Sequence, residues 1–130
     1  MVEQMDRGTR QVVSPVSAAE VAATRLDLRR ASLLPPAVYH DPDILAYEQE
    51  AWFADGWVCV GRDEDILRKG DYFLTTLCGE NIIVVRDNDQ NVRAFFNFCR
   101  HRGATMVTER TGRVPRFQCP YHAWVYDLDG

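Results

Sequence analysis

Two short stretches decide the fold: Cys99-Arg100-His101 and Cys119-Pro120-Tyr121-His122, with seventeen residues between them. Each stretch places one thiolate and one imidazole within a few residues, at the end of a predicted strand where a loop can turn back. Two such loops facing each other make a pocket with four metal ligands. Gly103 and Pro120 suit tight loops whose backbone N–H groups point inward toward a negatively charged group.

A set of two cysteines and two histidines is compatible with two metal centres. Structural zinc usually keeps cysteine with cysteine and histidine with histidine, as C-x2-4-C followed by H-x3-5-H. Here each half is mixed, C-x-H and then C-x2-H. The mixed order is typical of a Rieske [2Fe-2S] cluster, in which two histidines replace two cysteines on one iron. Structural zinc remains the second hypothesis, and a metal-free core the third.

The motifs Cys-Arg-His-Arg-Gly-Ala, starting at Cys99, and Cys-Pro-Tyr-His-Ala-Trp, starting at Cys119, resemble those of Rieske non-heme iron oxygenases. The resemblance is to the aromatic-ring-hydroxylating dioxygenase type of α subunit, and to its N-terminal Rieske domain. It extends to the preceding residues 34–61, which Rieske ferredoxins generally lack. The family often has glycine where this chain has Ala123. Respiratory Rieske proteins brace the two loops with a disulfide, at positions that here hold Ala104 and Tyr121.

The resemblance implies that Cys99 and Cys119 bind one iron and that His101 and His122 bind the other. Two ferric ions, two sulfides and two thiolates sum to zero charge, so the oxidised cluster is neutral and the reduced one carries a single negative charge. Reduction potentials of Rieske clusters lie at roughly −150 to +300 mV. In the family, the electron passes on to a mononuclear iron that activates dioxygen for hydroxylation, and His122 is the expected exit point.

The number of histidines limits what this chain can do alone. The mononuclear iron of such oxygenases is held by two histidines and a carboxylate. The sequence has three histidines, and the cluster motifs use two of them, which leaves only His40. We therefore expect no catalytic residue and no mononuclear iron in this chain, only in a further catalytic domain. The alternative function is that of a free-standing Rieske ferredoxin-like electron carrier.

Partners follow from the same resemblance. We expect a ferredoxin or a flavin-dependent reductase as electron donor, and a homotrimer or larger ring for the whole oxygenase. Five arginines lie close to the two motifs, against the single acid Glu109: Arg100, Arg102, Arg110, Arg113 and Arg116. They form either a solvated loop face or a docking surface for an acidic donor protein.

The residues after Gly56 are typical of a mainly β fold, a small antiparallel sandwich with the two ligand loops. Turn residues at Cys78-Gly79 and Asp87–Asn91 separate the longer strands. The chain ends on Asp129-Gly130, a turn signal that normally leads into a returning strand. We therefore expect a longer protein, with the last strand left as an unpaired edge. The predicted strands are Trp57–Val60, Tyr72–Leu77, Asn81–Arg86, Val92–Phe98, Arg116–Gln118 and Trp124–Tyr126.

Residues 1–55 are predicted to form a leader with one or two helices, and residues 56–130 the Rieske domain. The first sixteen residues lack periodicity and are expected to be mobile. Ser17 and Glu20 have capping-box spacing, which predicts a helix over residues 18–29. Pro35 and Pro36 then favour extended backbone. Asp41 as cap and Pro42 at the first helical position predict a second helix, which Gly56 ends.

Composition excludes several other classes of protein. With 130 residues, a net charge of −4 and 26% charged residues, the chain is typical of one globular domain. Its acidic balance gives no reason to expect a nucleic acid or an anionic membrane as partner. It shows no secretory signal, so a cytoplasmic protein is expected. Cys59 and Cys78 are predicted to be small buried hydrophobic residues, and His40 a surface or packing residue.

Overall fold

The computed structural model describes residues 13–130. Contacts divide the chain into two compact units, one up to Trp57 and one from Val58 to Gly130. The leader predicted over the first sixteen residues lies mostly outside the described range. Within that range, no helix is both long and apolar enough to cross a membrane.

The first unit contains short helices. They are α1 at Ala18–Val21, 3-10 helices at Ala22–Arg25 and Pro36–Tyr39, α2 at Pro42–Glu48, and a π-helix at Gln49–Phe53.

The capping box predicted for α1 is confirmed. The Glu20 N–H donates to the Ser17 hydroxyl, and the Glu20 carboxylate accepts the Ser17 N–H at 2.9 Å. The predicted helical length is wrong, because helical backbone ends at Arg25 rather than Arg29. Leu26 is extended, with φ −73° and ψ 169°, and the Asp27 carboxylate accepts the Arg29 N–H at 3.1 Å. This side-chain turn competes with continuation of the helix.

The second predicted helix begins as expected. The Asp41 carboxylate accepts the Asp43 N–H at 2.9 Å, and Pro42 takes the first helical position. The helix closes at Phe53, a few residues before Gly56. A Cβ at Gly56 would lie 2.4 Å from the Trp52 carbonyl oxygen, so only glycine allows the chain to turn there. The extended backbone predicted before this helix holds at Pro35, while Pro36 already starts a 3-10 turn.

The second unit is built from two antiparallel sheets. A 3-10 helix at Asp63–Ile66 precedes them. The strands are β1 at Asp71–Leu77, β2 at Glu80–Arg86, β3 at Val92–Phe96, β4 at Thr111–Arg113, β5 at Phe117–Gln118 and β6 at Val125–Tyr126. The larger sheet has the strand order β3-β2-β1-β4, and the smaller sheet pairs β5 with β6.

Two expectations about the strands are wrong. Residues 57–60 are not a strand. The chain just after them crosses a face of the sheet, where a Cβ at Gly61 would lie 2.6 Å from the Phe73 ring, and does not pair along an edge. The last strand is also not an unpaired edge, because Tyr126 pairs with Phe117 and Val125 with Gln118. Strand β4 was not predicted, since its sequence, Thr-Gly-Arg, carries no apolar pattern.

The two predicted turns form as expected. Cys78 and Gly79 both have positive φ, 50° and 83°, as a two-residue hairpin between β1 and β2 requires. The Asp87 carboxylate organises the second turn by accepting the N–H groups of Asp89 and Asn91, each at 2.8 Å.

The burial predicted for Cys59 and Cys78 is wrong, because both are exposed. Cys78 occupies the tip of a tight hairpin, where a side chain has no core to enter. Cys59 lies in irregular chain outside the two sheets.

One core joins the two sheets. Tyr72, Ile83 and Val85 from the large sheet pack with Phe117 from the small one, and the Tyr72 and Phe117 ring centroids are 5.9 Å apart. Leu128 is fully buried in the same cluster. On β3 it is Phe95 that faces this core, while the alternate positions Val92, Ala94, Phe96 and Phe98 are exposed. The mainly β, antiparallel fold class is confirmed.

Candidate metal centre

Two loops of matching backbone geometry carry the predicted ligands; we call residues 99–104 the first loop and residues 119–124 the second loop. In the first loop the Cys99 N–H donates to the Ala104 carbonyl, and the Gly103 N–H donates back to the Cys99 carbonyl, both at 2.8 Å. In the second, the Cys119 N–H donates to the Trp124 carbonyl at 2.7 Å, and the Ala123 N–H to the Cys119 carbonyl at 3.0 Å.

The residue at the bend of each loop has left-handed backbone. Gly103 has φ 69°, and Ala123, at the equivalent position, has φ 59°. A glycine adopts this conformation without strain, whereas an alanine does not. The second loop therefore holds a strained residue directly between His122 and Trp124.

The cysteine side chains point into the core. Cys99 and Cys119 are each 2% exposed and belong to the same buried cluster as Phe117. The Tyr126 hydroxyl lies 3.2 Å from the Cys99 Sγ atom and also accepts the Arg100 N–H at 3.1 Å. Tyr126 thus connects strand β6 to the first loop.

Hydrogen bonding favours the thiolate form of Cys99. The Tyr126 hydroxyl is the main cause that lowers the pKa of the Cys99 thiol. The N–H groups of His101 and Arg102 and the Cys119 side chain act in the same direction, while burial opposes them. The same contact raises the pKa of Tyr126. The tyrosine therefore stays protonated, and its hydroxyl donates the hydrogen bond to the sulfur.

The histidine side chains lie on the opposite, exposed side of the loops. Their ring centroids are 5.0 Å apart. The Trp124 ring stacks on His101 with centroids 4.7 Å apart and an interplanar angle of 1°. The Tyr121 ring stacks on His122 at 3.7 Å and 30°. The four rings therefore follow one another in the order Trp124, His101, His122 and Tyr121.

The structure therefore brings the predicted ligands together as two separate pairs. The two cysteines are neighbours on the buried side, and the two imidazoles are neighbours on the exposed side. Within residues 13–130, no three His, Cys, Asp or Glu side chains are arranged to hold a single metal ion. A [2Fe-2S] centre differs from a site for a single metal ion, because it needs two protein ligands on each of two irons. The donor set fits such a cluster.

The five arginines near the motifs do not form one continuous group of free charges. Arg113 donates to the Asp71 carboxylate at 2.5 Å, and this contact lowers the pKa of Asp71. Arg110 lines an open groove of about 440 Å³ beside Leu74 and Thr75. Arg100 and Arg102 flank His101, are exposed, and have no ion-pair partner among the described residues.

Tyr126 is the functional residue that sequence reasoning missed. It was predicted only as part of a strand. Its role depends on the pairing of β5 with β6, which places it across from Phe117 and within reach of Cys99. His40 is exposed in the first unit, as predicted.

The fold and the site together define a class of protein. It is a small antiparallel β domain with two matched loops that carry cysteine and histidine side chains. Residues 56–130 match the family described as Rieske [2Fe-2S] domain. The chain belongs to this family.

Similar proteins are subunits of Rieske oxygenases. The oxygenase subunit of glycine betaine monooxygenase from Chromohalobacter salexigens is 45% identical over 98 residues, which are 75% of this chain and 22% of that protein. Benzene 1,2-dioxygenase subunit alpha from Pseudomonas putida is 37% identical, over 78% of this chain and 22% of that protein.

Solved structures agree. Naphthalene 1,2-dioxygenase from Rhodococcus sp. superposes with a TM-score of 0.70 at 34% identity, over 75% of this chain and 22% of that chain. The quaternary ammonium Rieske monooxygenase CntA with L-carnitine gives 0.69 at 37% identity, over 74% and 27%. The chain thus spans about a quarter of the length of the relatives it matches, between 22% and 27%.

Proposed function

We propose that residues 56–130 form the electron-entry domain of a Rieske-type oxygenase, preceded by a separate leader over residues 1–55. In this proposal Cys99, His101, Cys119 and His122 bind a [2Fe-2S] cluster. The carrying observation is the division of the site into two buried cysteines and two exposed, adjacent imidazoles. The relatives support an oxidoreductase of the mono- or dioxygenase kind as the whole protein, and its proposed location is the cytoplasm.

The protein's own residues prepare the site. Cys99 and Cys119 supply two negative charges from within the core, where Tyr126 and backbone N–H groups stabilise the Cys99 thiolate. His101 and His122 are neutral ligands on the exposed side, which gives an electron a short path to a partner. When bound, the cluster accepts and releases one electron. A mononuclear iron in the remainder of the oxygenase would receive it.

Arg100 and Arg102 are the residues we assign to docking of the electron donor, a ferredoxin or a flavin-dependent reductase with an acidic surface. They lie on either side of His101 and have no ion pair within residues 13–130. Arg113 is a weaker candidate because Asp71 already neutralises it. Assembly of the whole oxygenase as a homotrimer or larger ring completes the proposal, with His122 facing the next catalytic iron.

The cluster assignment is tested by anaerobic reconstitution of the chain with iron and sulfide. We expect a coloured protein with two irons and two sulfides per chain that takes up one electron in a reductive titration. The variants Cys119→Ser and His122→Ala should lose the cluster, whereas Cys78→Ser, a change at an exposed cysteine, should keep it. A colourless protein that binds one zinc ion would contradict the assignment.

The docking assignment is tested by stopped-flow reduction of the reconstituted protein by an acidic plant-type ferredoxin. Arg100→Glu and Arg102→Glu should each slow the reduction by about tenfold at low salt and weaken its dependence on ionic strength. Lys69→Glu makes the same charge change outside the two loops and should have little effect. Equal effects of all three variants, or none from any, would refute the assignment.

A further inference from the structure

Trp124 is in a position to control the orientation of His101. The two ring planes are parallel, with an interplanar angle of 1° and centroids 4.7 Å apart. The contact crosses from the second loop to the first, whereas the stacking of Tyr121 on His122 joins neighbours in sequence. Trp124 is also anchored at its backbone, because its carbonyl accepts the Cys119 N–H at 2.7 Å.

The His101 imidazole has few other contacts that could fix its orientation. Histidine ligands of metals usually donate their second ring N–H to a carboxylate, a carbonyl or a water. Among the described residues, the aromatic rings in contact with His101 are those of Trp124 and His122. Stacking by Trp124 is therefore a contact that can fix the orientation of the His101 ring.

The same residue joins the two loops. This chain has Ala104 and Tyr121 at the positions of the loop-bracing disulfide of respiratory Rieske proteins, so that bridge cannot form here. Two side chains contact the first loop instead: Tyr126, from strand β6, contacts Cys99 on the buried side, and Trp124, from the second loop, stacks on His101 on the exposed side.

We propose that Trp124 is a positioning residue that holds the His101 imidazole by stacking and shields it from water, and that it thereby lowers the reduction potential of the bound cluster. The proposal rests on the proposed function. The direction follows from charge: the reduced cluster carries one more negative charge than the oxidised one. The face of an indole ring is negative, and it excludes water that would stabilise the reduced form. Loss of the indole should therefore raise the potential.

The experiment compares reconstituted wild type with Trp124→Leu, Trp124→Phe and the control Trp57→Leu, which removes a fully exposed tryptophan of the first unit. The readouts are iron content, the reduction potential and the EPR spectrum of the reduced protein. Trp124→Leu should raise the potential, broaden the EPR signal and lower cluster occupancy at least twofold. Trp124→Phe, which keeps a stacking ring, should give intermediate values, and Trp57→Leu should match wild type.

Two results would overturn the proposal: a Trp124→Leu protein with the potential and EPR spectrum of wild type, or a Trp124→Phe protein as altered as Trp124→Leu. The second result would mean that a stacked ring at this position does not set the properties of the cluster. If Trp124→Leu retains no cluster, the potential of Trp124→Phe relative to wild type decides, and an unchanged value refutes the proposal. Failure of wild type itself to bind a cluster would instead refute the proposed function.

Discussion

Replacement of Ala123 by glycine should stabilise the protein. Ala123 has φ 59° between His122 and Trp124, and the matching position of the first loop, Gly103, is already a glycine with φ 69°. Left-handed backbone costs a residue other than glycine about 1–2 kcal/mol. Glycine loses about 0.4–1 kcal/mol through the greater freedom of its unfolded chain. The difference predicts a net gain of about 0.5–1 kcal/mol for Ala123→Gly.

Thermal unfolding, followed by circular dichroism at equal cluster occupancy, measures this gain. For a unit the size of Val58–Gly130, the expected rise in Tm is about 3–6 °C. Ala94→Gly is the matched control: it makes the same chemical change on the exposed face of β3, at a residue without positive φ. The control should lower the free energy of unfolding by about 0.5–1 kcal/mol. A drop in Tm for Ala123→Gly, equal to that of the control, would show that the second loop holds no strain.

Three further predictions concern the site and the core. Tyr126→Phe removes the hydroxyl beside the Cys99 sulfur. Because this hydroxyl stabilises the more negative, reduced cluster, the reduction potential should fall by about 60 mV, a tenfold change in the equilibrium constant. An unchanged potential in a redox titration would argue against this hydrogen bond. Leu128→Ala should lower the free energy of unfolding by about 2–5 kcal/mol because Leu128 is fully buried, whereas the exposed Leu67→Ala should cost less than about 0.5 kcal/mol, and similar losses in urea titrations would contradict the described core. The Arg93 guanidinium, with backbone N–H groups, lowers the pKa of Asp87. The ionised Asp87 carboxylate therefore stabilises the fold above about pH 4, and this stabilisation is lost as the pH falls further. Below about pH 4 the free energy of unfolding of Asp87→Asn should fall less steeply with pH than that of wild type, and an equal dependence on pH would refute this role.

Sequence reasoning located the candidate ligands because their order and spacing are local properties of two short loops. Cys99 and His101 are separated by one residue, and Cys119 and His122 by two, so no long-range contact is needed to recognise each pair. The two long hairpins were predictable for a similar reason: alternation and turn residues mark β1, β2 and β3 directly in the sequence.

Features that depend on distant contacts were missed or wrong. Strand β4 has no apolar pattern and exists because β1 offers it an edge, with Asp71 opposite Arg113. The pairing of β6 with β5 could not be inferred because each strand has only two residues. The contact between Tyr126 and Cys99 depends on this pairing and was missed for the same reason. The exposure of Cys78 follows from its place at a hairpin tip, where turn geometry outweighs its preference for the core.

In the proposed site, Cys99 and Cys119 bind one iron while His101 and His122 bind the other. Electron–nuclear double resonance of the reduced, reconstituted protein with 15N-labelled histidine distinguishes this ligand arrangement from its alternatives. We expect two inequivalent irons, with couplings from two histidine nitrogens on the same iron. A spectrum without histidine nitrogen coupling, or with one histidine on each iron, would contradict it.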